Sequence, residues 1–228
     1  MESFTFKGVS SSSLGLIIKE MPPIVRAEKN IESISVNGRN GNLHIDNGTY
    51  KSIDISIICV VNDLTKIDLI KSTLIGTGEV TLSTVPGRSY TATIKNQLSL
   101  SKYLSCLREF PLQLELDPFS YGSLITNTYT VINNNREFDF SVGGNVETYP
   151  TLTINGIGSI SLNGTQIQVT ETGITIDCEL MECVKNNANK NSSVILTEFP
   201  KLKPGVINSL ETGIGITSVV ISYREKWL

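Results

Sequence analysis

The sequence predicts a mainly β protein built from antiparallel sandwiches or barrels. Apolar and polar residues alternate in many short runs, and such alternation indicates strands with one buried and one exposed face. Asn, Gly, Ser and Thr fill the gaps between the runs, as turns require. With 39% apolar and 18% charged residues in 228 positions, the chain can bury a core. Many short strands at this spacing favour antiparallel sheets packed on each other.

The strand predictions rest on the alternating runs themselves. The residues that recur at every second position, and are expected on the buried face of each strand, are Ile53/Ile55/Ile57/Cys59/Val61, Val80/Leu82/Thr84, Tyr90/Ala92/Ile94, Leu112/Leu114/Leu116, Phe138/Phe140/Val142, Leu152/Ile154, Ile160/Leu162, Ile167/Val169, Ile174/Ile176/Cys178/Leu180 and Val219/Ile221/Tyr223. Asn155-Gly156 and Asn163-Gly164 are the strongest short hairpin signals, so we predict a tight turn at each.

One segment, about residues 63–75, has the spacing of a helix. Its apolar residues recur at intervals of three and four; they are Leu64, Ile67, Ile70 and Leu74. Asn62 or Asp63 can cap its start, and Gly76 can end it in a left-handed turn. A second helical turn is predicted over Ser101–Arg108, although an irregular strand fits the same stretch.

The segment from about residue 19 to 47 has a different composition. Its Met21-Pro22-Pro23-Ile24-Val25 stretch is stiff and extended, because proline fixes φ and constrains the residue before it. Two glycines among Asn and Arg predict a sharp turn over 37–42. The segment has too few apolar residues to fold back as a pair of core strands. It is either a long surface loop or an arm that completes its burial on another subunit.

A composition shift near Asp117–Gly122 marks a predicted domain boundary. After it, the chain shows strand alternation and no helical period. The sequence therefore predicts one domain over residues 1–122 and another over 123–228, sizes that are ordinary for domains.

Charge and hydropathy exclude several kinds of function. The net charge is −3, so the chain does not have the excess of Lys and Arg that is typical of a surface that binds nucleic acid. The start of the chain has no signal-peptide pattern, and no apolar run approaches the ~20 residues of a membrane-spanning helix. We therefore expect neither sequence-specific nucleic-acid binding nor membrane insertion. We expect the protein to be made and assembled in a cytoplasm.

Three of the four cysteines lie in strand-like apolar patterns, which suits small buried apolar residues, and none of the four is predicted to be a disulfide partner or a metal ligand. None lies in a C-x-x-C pair, the spacing typical of metal and redox sites. Cys178 and Cys183 differ in parity, so one continuous strand would point them to opposite faces.

No catalytic residue, metal site or cofactor is predicted. His44 is the only histidine, which removes paired-histidine metal sites and leaves a single possible base for a Ser-His-Asp arrangement. Alternation turns His44 away from Leu43 and Ile45, so it is expected to be exposed or at an interface. Phosphate-loop, zinc-protease and serine-hydrolase motifs are missing. Trp227, the only tryptophan, is expected to dock the last strand rather than to stack on a sugar.

Eight short motifs share an order with one protein family. They are Phe4–Ser11, Leu14–Leu16, Gly38–Tyr50, Leu116–Gly122, Tyr149–Ile154, Gly173–Asp177, Phe199–Gly205 and Tyr223–Leu228. In these motifs, which span nearly the whole chain, the sequence resembles the distal tail protein (Dit) family of long-tailed bacteriophages and phage-derived tail particles.

The resemblance implies two β-sandwich domains, the first with one helix and a belt arm, the second galectin-like. Six copies would form a homohexameric ring at the virion tail tip. The ring would join the tail tube protein to the tail-associated hub or fibre protein and let DNA pass, and its second domain could hold receptor-binding or other baseplate proteins. The belt would reach the neighbouring subunit. The residues expected at that interface are Pro22, Pro23, Ile24, Val25, Ile31, Ile34, Val36, Arg39, Leu43 and His44.

The alternative function is a carbohydrate-binding sandwich used in host adhesion. The galectin-like resemblance supports it only at the level of fold. A sugar site would need aromatic side chains clustered with polar partners on one sheet, and alternation assigns Phe138 and Phe140 to the core.

Overall fold

The computed structural model describes residues 2–95, 109–132 and 135–228. The chain divides into two compact units, Met1–Tyr121 with Leu228, and Gly122–Trp227. Both units are built mainly of antiparallel strands, which confirms the predicted fold class. The helical turn predicted over Ser101–Arg108 lies outside the described residues.

The first unit consists of one main antiparallel sheet, a separate two-stranded sheet and the α-helix. Its elements are β1 Phe4–Phe6, β2 Val9–Ser10, β3 Leu16–Glu20, β4 Lys29–Ser35, β5 Asn42–Tyr50, β6 Ile53–Val61, a 3-10 turn Leu64–Lys66, α1 Ile67–Thr73, β7 Thr77–Leu82, β8 Ser89–Ile94 and the first part of β9, Glu109–Thr130. The main sheet has the order β3-β6-β9-β8-β7-β1-β2. β4 and β5 form a separate two-stranded sheet.

The core of the first unit lies on the apolar side of these alternating strands. In β6 every second residue from Ile53 to Val61 is buried, and in β9 Leu112, Leu114 and Leu116 are buried in the same way. The register pairs Ile57 with Leu112, so the two alternations meet on one face. Period two therefore predicted this core correctly.

The predicted helix is present but begins differently. Asp63 accepts a hydrogen bond from the backbone N–H of Thr65, and this N-cap opens a 3-10 turn before α1 begins. Ile70 and Leu74 are buried, whereas Leu64 lies on the 3-10 turn and is exposed. The 3-10 turn has three residues per turn, which moves Leu64 off the face that a continuous α-helix would give it.

The second unit consists of strands and one short 3-10 turn, as far as it is described. Its elements are the last part of β9, β10 Glu137–Ser141, β11 Thr151–Gly156, β12 Gly158–Leu162, β13 Thr165–Val169, β14 Ile174–Asp177, β15 Glu182–Lys185, β16 Ala188–Asn189, a 3-10 turn Asn191–Ser193, β17 Val194–Leu196, β18 Ile207–Thr212 and β19 Ile216–Trp227. One sheet has the order β16-β15-β14-β11-β19-β9 and the other β10-β18-β12-β13-β17.

A second hydrophobic core belongs to these two sheets. Its fully buried side chains include Leu152 and Ile154 from one sheet and Ile160 and Leu162 from the other. Asn163 and Gly164 join β12 to β13 as a two-residue turn with φ of +52° and +87°, which confirms the hairpin predicted there.

The second hairpin prediction, at Asn155-Gly156, is wrong. β11 pairs with β14 and β19, while β12 pairs with β13 and β18, so the chain leaves one sheet here and enters the other. Gly156 has a φ of +109°, and a Cβ there would collide with the carbonyl oxygen of Gly215. The glycine is needed because two backbone segments approach each other closely at the crossing. The Asn-Gly sequence alone does not distinguish this role from a tight turn.

The strand predicted through Cys178 and Leu180 is also shorter than expected. β14 ends at Asp177, whose side chain accepts hydrogen bonds from the N–H groups of Glu179 and Leu180 and so closes a turn. Leu180 is exposed. Cys178 and Cys183 flank this turn and are both buried, so the single continuous strand that would have turned them to opposite faces is absent. Burial raises the pKa of the Cys178 thiol to about 12.

Candidate functional site

The β4–β5 hairpin is the feature of the first unit that lacks a core of its own. Within the described residues, β4 and β5 pair only with each other. Every residue of the two strands is exposed except Tyr50, which is partly buried against the first core and contacts the Phe119 ring edge-on. A two-stranded hairpin alone is marginally stable in water. This hairpin therefore needs either strong local contacts or a surface to cover it.

One face of the hairpin is apolar. The register pairs Ile34 with Leu43 and Glu32 with Ile45, and directly paired residues share a face. Val36 follows on that face by alternation. These apolar side chains are 37–42% exposed. We call Ile34, Val36, Leu43 and Ile45 the apolar hairpin face.

Local contacts hold the hairpin in shape. Gly38 and Gly41 have φ of +84° and +82° at its tip, as the predicted turn requires. At its base, Lys29 forms an ion pair with Asp46, whose carboxylate also accepts the N–H of Gly48. The hydrogen bond between Lys29 and Asp46 raises the pKa of the lysine and lowers the pKa of the aspartate.

The chain that leads into the hairpin packs on its own unit. Met21 and Ala27 are buried in the first core, and Ile24 is partly buried against it. A spacing of three places these side chains on one side of an extended, proline-containing segment, because polyproline II has three residues per turn. Of the residues predicted at the interface, Pro22 is half-buried, whereas Pro23 and Val25 are exposed. The continuous run of exposed residues therefore begins at about Glu28 rather than at residue 19.

The remaining predicted interface residues lie on the hairpin. Arg39 lies at the tip, where its N–H donates to the carbonyl oxygen of Val36. His44 pairs with Ser33 on the face opposite the apolar one, as alternation predicts. Ile31 pairs with Asp46 on that same polar face. The hairpin thus brings together all the predicted residues after Val25.

The aromatic residues of the second unit are used for packing. Tyr129 lies 5.4 Å from both Phe138 and Phe140 between ring centroids, and all three pack against the second core. The indole of Trp227 lies over Gly122, where an added Cβ would meet it at 3.2 Å. These rings are therefore engaged with the protein itself rather than presented as a stacking platform.

A charged cluster around Glu171 was not found from the sequence. Its carboxylate accepts hydrogen bonds from Lys190 and Ser193, each at 2.9 Å, and lies 3.5 Å from Lys185. The bonds from Lys190 and Ser193 lower the pKa of Glu171 to about 2. These partners lie 14 to 22 residues along the chain, at separations that follow no local period.

Among residues 2–95, 109–132 and 135–228, no group of three or more His, Cys, Asp or Glu side chains could hold a metal ion. The helices of the described chain are all too short to cross a membrane.

Comparison with known proteins gives a match to a solved structure. No family model matches the chain, and no curated protein matches its sequence. The crystal structure of SPP1 Dit matches with a TM-score of 0.73 and 15% sequence identity, covering 100% of both chains. The chain has the Dit fold. The match covers the whole of both chains, and it confirms the mainly β, Dit-like fold that the sequence motifs implied.

Proposed function

We propose that this Dit-fold chain is a distal tail protein of a phage or phage-tail-like particle. Six copies would form a ring at the tail tip that joins the tail tube to the hub or fibre protein. The support is the whole-chain match to SPP1 Dit, whose structure is described as a paradigm of the hub adsorption apparatus in phages that infect Gram-positive bacteria. The proposed role is structural: the protein would act by assembling with its neighbours and not as an enzyme.

The apolar hairpin face is the proposed contact between neighbouring subunits. In a ring each subunit offers one surface to the next and receives another, so the contacts are heterologous and the rotation closes. An arm that lies across its neighbour buries the side chains that a lone subunit leaves exposed. Full burial of an exposed Ile or Leu side chain contributes about 1.5–3 kcal/mol, so the 37–42% that is still exposed here corresponds to about 1 kcal/mol for each side chain. Repeated at every interface, this contribution makes the closed ring more stable than separate subunits.

The mildly acidic chain suits a passage for DNA. A net charge of −3 per copy means that a ring of such chains carries the same sign as the phosphate backbone. Like charge does not hold a moving polyanion. The proposed hole would therefore guide DNA without binding its sequence.

Replacement of the hairpin tests this proposal. The N–H of Lys51 donates to the carbonyl oxygen of Glu28 at 2.8 Å, so a short Gly-Ser turn can replace residues 30–49 without moving the chain on either side. None of the replaced residues belongs to the buried core. We expect the intact chain to assemble in native mass spectrometry and the replaced chain to remain a folded monomer. Urea unfolding of the monomer checks that it is folded.

Two results would oppose the proposal. A replaced chain that assembles as the intact chain does would remove the hairpin from the interface. An intact chain that remains monomeric, even when co-expressed with the tail tube and hub proteins, would remove the ring.

A further inference from the structure

A small polar recess lies on the outward face of the five-stranded sheet of the second unit. Its volume is about 210 Å³. Side chains of β12, β13 and β18 surround it because their registers place them side by side, with Ser161 opposite both Gln166 and Glu211. The residues that line it are Ser159, Ile160, Ser161, Gln166, Glu211, Thr212 and Gly213.

Ser161 forms the floor of the recess and has an uncommitted hydroxyl. Ile160 and Leu162, its neighbours along β12, are buried in the second core, so alternation turns Ser161 to the opposite, outward face. Its residue surface is nevertheless only 7% exposed. The hydroxyl forms no hydrogen bond with any described residue. The Ser161 Oγ atom is not fully buried, because no fully buried side-chain N or O atom of the described residues lacks a partner. It faces the solvent of the recess and can donate to, or accept from, a group that enters.

Carboxylates stand beside the recess without counter-ions. The register places Glu137 of β10 directly opposite Glu211 of β18, and Asp139 follows on the same outward face. Like charges directly opposite each other on a sheet are destabilising. None of the three forms an ion pair with a described residue. The neighbouring Arg136 directs its guanidinium to the carbonyl oxygen of Gly213 instead.

We propose that the polar recess receives an arginine side chain from a partner protein. A guanidinium has five donors in a planar fork, which can bond to the carboxylate of Glu211 and to the Ser161 hydroxyl together. It also separates the charges of Glu137 and Glu211. This assignment makes the second unit a docking module for a basic segment.

The size and lining of the recess favour this occupant over others. Small-molecule pockets have volumes of about 300–1,000 Å³, so a recess of about 210 Å³ suits one inserted side chain. Phosphate groups carry the same sign as Glu137 and Glu211 and would be repelled. No aromatic ring lines the recess, so the usual stacking platform for a sugar is missing from it.

The inference deepens the proposed function, because within a tail the partner would be another baseplate protein. Recognition of arginine does not itself depend on ring formation. Binding of a peptide and imaging of a ring are therefore separate experiments, and either can fail without the other.

Ligand-observed saturation-transfer NMR on the intact chain tests the proposal, since it works for monomer and ring alike. The probe is the blocked peptide acetyl-Gly-Ser-Arg-Ser-Gly-amide. A matched peptide carries citrulline, which keeps the shape of arginine but not its charge. We expect saturable transfer to the arginine side chain, and binding of the citrulline peptide that is at least about fivefold weaker.

Variants locate the binding. We expect Glu211→Gln and Ser161→Ala each to weaken arginine-peptide binding by about threefold to fivefold. Glu182→Gln, which removes an exposed carboxylate from the other sheet, should leave it unchanged. If Glu211→Gln does not fold, Glu137→Gln takes its place. Equal binding of the citrulline peptide, no saturable transfer, or full binding by both recess variants would overturn the proposal.

Discussion

At the scale of single residues, Glu171 shows how a loop carboxylate stabilises the second unit. It lies between β13 and β14 and accepts hydrogen bonds from Lys190 and Ser193 beyond β16. The N–H of Thr170 also donates to the carbonyl oxygen of Ser193, so the same two loops are joined twice. The carboxylate thus extends the contact between these segments beyond the last strand pair of β13 and β17, Val169 with Val194.

The lowered pKa of Glu171 gives a pH-dependent prediction. Folding lowers this pKa from 4.5 to about 2, so the stabilisation is fully present above pH 4.5 and is lost as the pH falls through about 2. We expect Glu171→Gln to lower the urea midpoint at pH 7, with a difference from the intact chain that shrinks between these two values. Glu182→Gln should show no such pH-dependent difference. A Glu171→Gln difference that is constant from pH 7 to pH 2 would contradict the assignment.

Gly156 tests the crossing between the two sheets of the second unit. It has a positive φ, and an added Cβ would collide with the Gly215 carbonyl oxygen, whereas Gly164 has a positive φ but open space around it. We expect Gly164→Ala to reduce the free energy of unfolding by about 1 kcal/mol from backbone strain alone. Gly156→Ala should cost about 3 kcal/mol or more, because strain and a backbone collision add.

Chemical denaturation of both glycine variants measures the difference. Similar losses in the two variants would mean that the crossing tolerates a side chain, and that the close backbone approach at Gly156 is not required.

At the scale of elements, alternation succeeded where one face of a strand meets a core. It placed the buried residues of β6, β9, β11 and β19 correctly, because burial on one face has the same period as the side chains. It failed at Leu180, because the turn closed by Asp177 depends on a side-chain to backbone bond that hydropathy does not encode.

The Asn-Gly sequences identified a hairpin only where the two strands beside them also pair with each other. Asn163-Gly164 and Asn155-Gly156 look alike in sequence, yet one closes a hairpin and the other carries the chain between sheets. The distinction depends on which strands lie beside them, and that information is long-range. Composition likewise set residues 19–47 apart as a loop or an arm, but it did not predict the β4–β5 hairpin or its start near Glu28, since the packing of Met21, Ile24 and Ala27 on the first core is a long-range contact.

The apolar hairpin face can be tested by point variants. The double variant Ile34→Ser with Leu43→Ser removes two apolar contacts, which corresponds to about 1 kcal/mol for each side chain at every interface, since 37% and 38% of these residues is exposed. We expect it to shift the assembly measured by native mass spectrometry to monomer. At protein concentrations where both chains are monomeric, its urea midpoint should equal that of the intact chain, because neither residue belongs to the core.

The matched control lies on the opposite face of the same strands. Ser33→Ala with Ser35→Ala keeps the apolar face intact and should assemble normally. Loss of assembly in the control, or normal assembly of the Ile34 and Leu43 variant, would place the subunit contact elsewhere on the chain.

At the scale of the whole molecule, the sequence motifs and the structure lead to the same fold by different routes. The match to SPP1 Dit covers both chains completely at only 15% identity, so the shared property is the arrangement of strands rather than most of the residues. A fold does not determine function by itself. The exposed apolar face of the hairpin is the feature that makes assembly, rather than a stand-alone module, the better explanation.

The most direct test of the ring is negative-stain electron microscopy of the purified intact chain, with its mass in solution measured on the same sample. The account predicts six-fold particles with a central hole and a mass of six chains of 24.9 kDa each. Monomers alone, both in isolation and after co-expression with the tail tube and hub proteins, would contradict it.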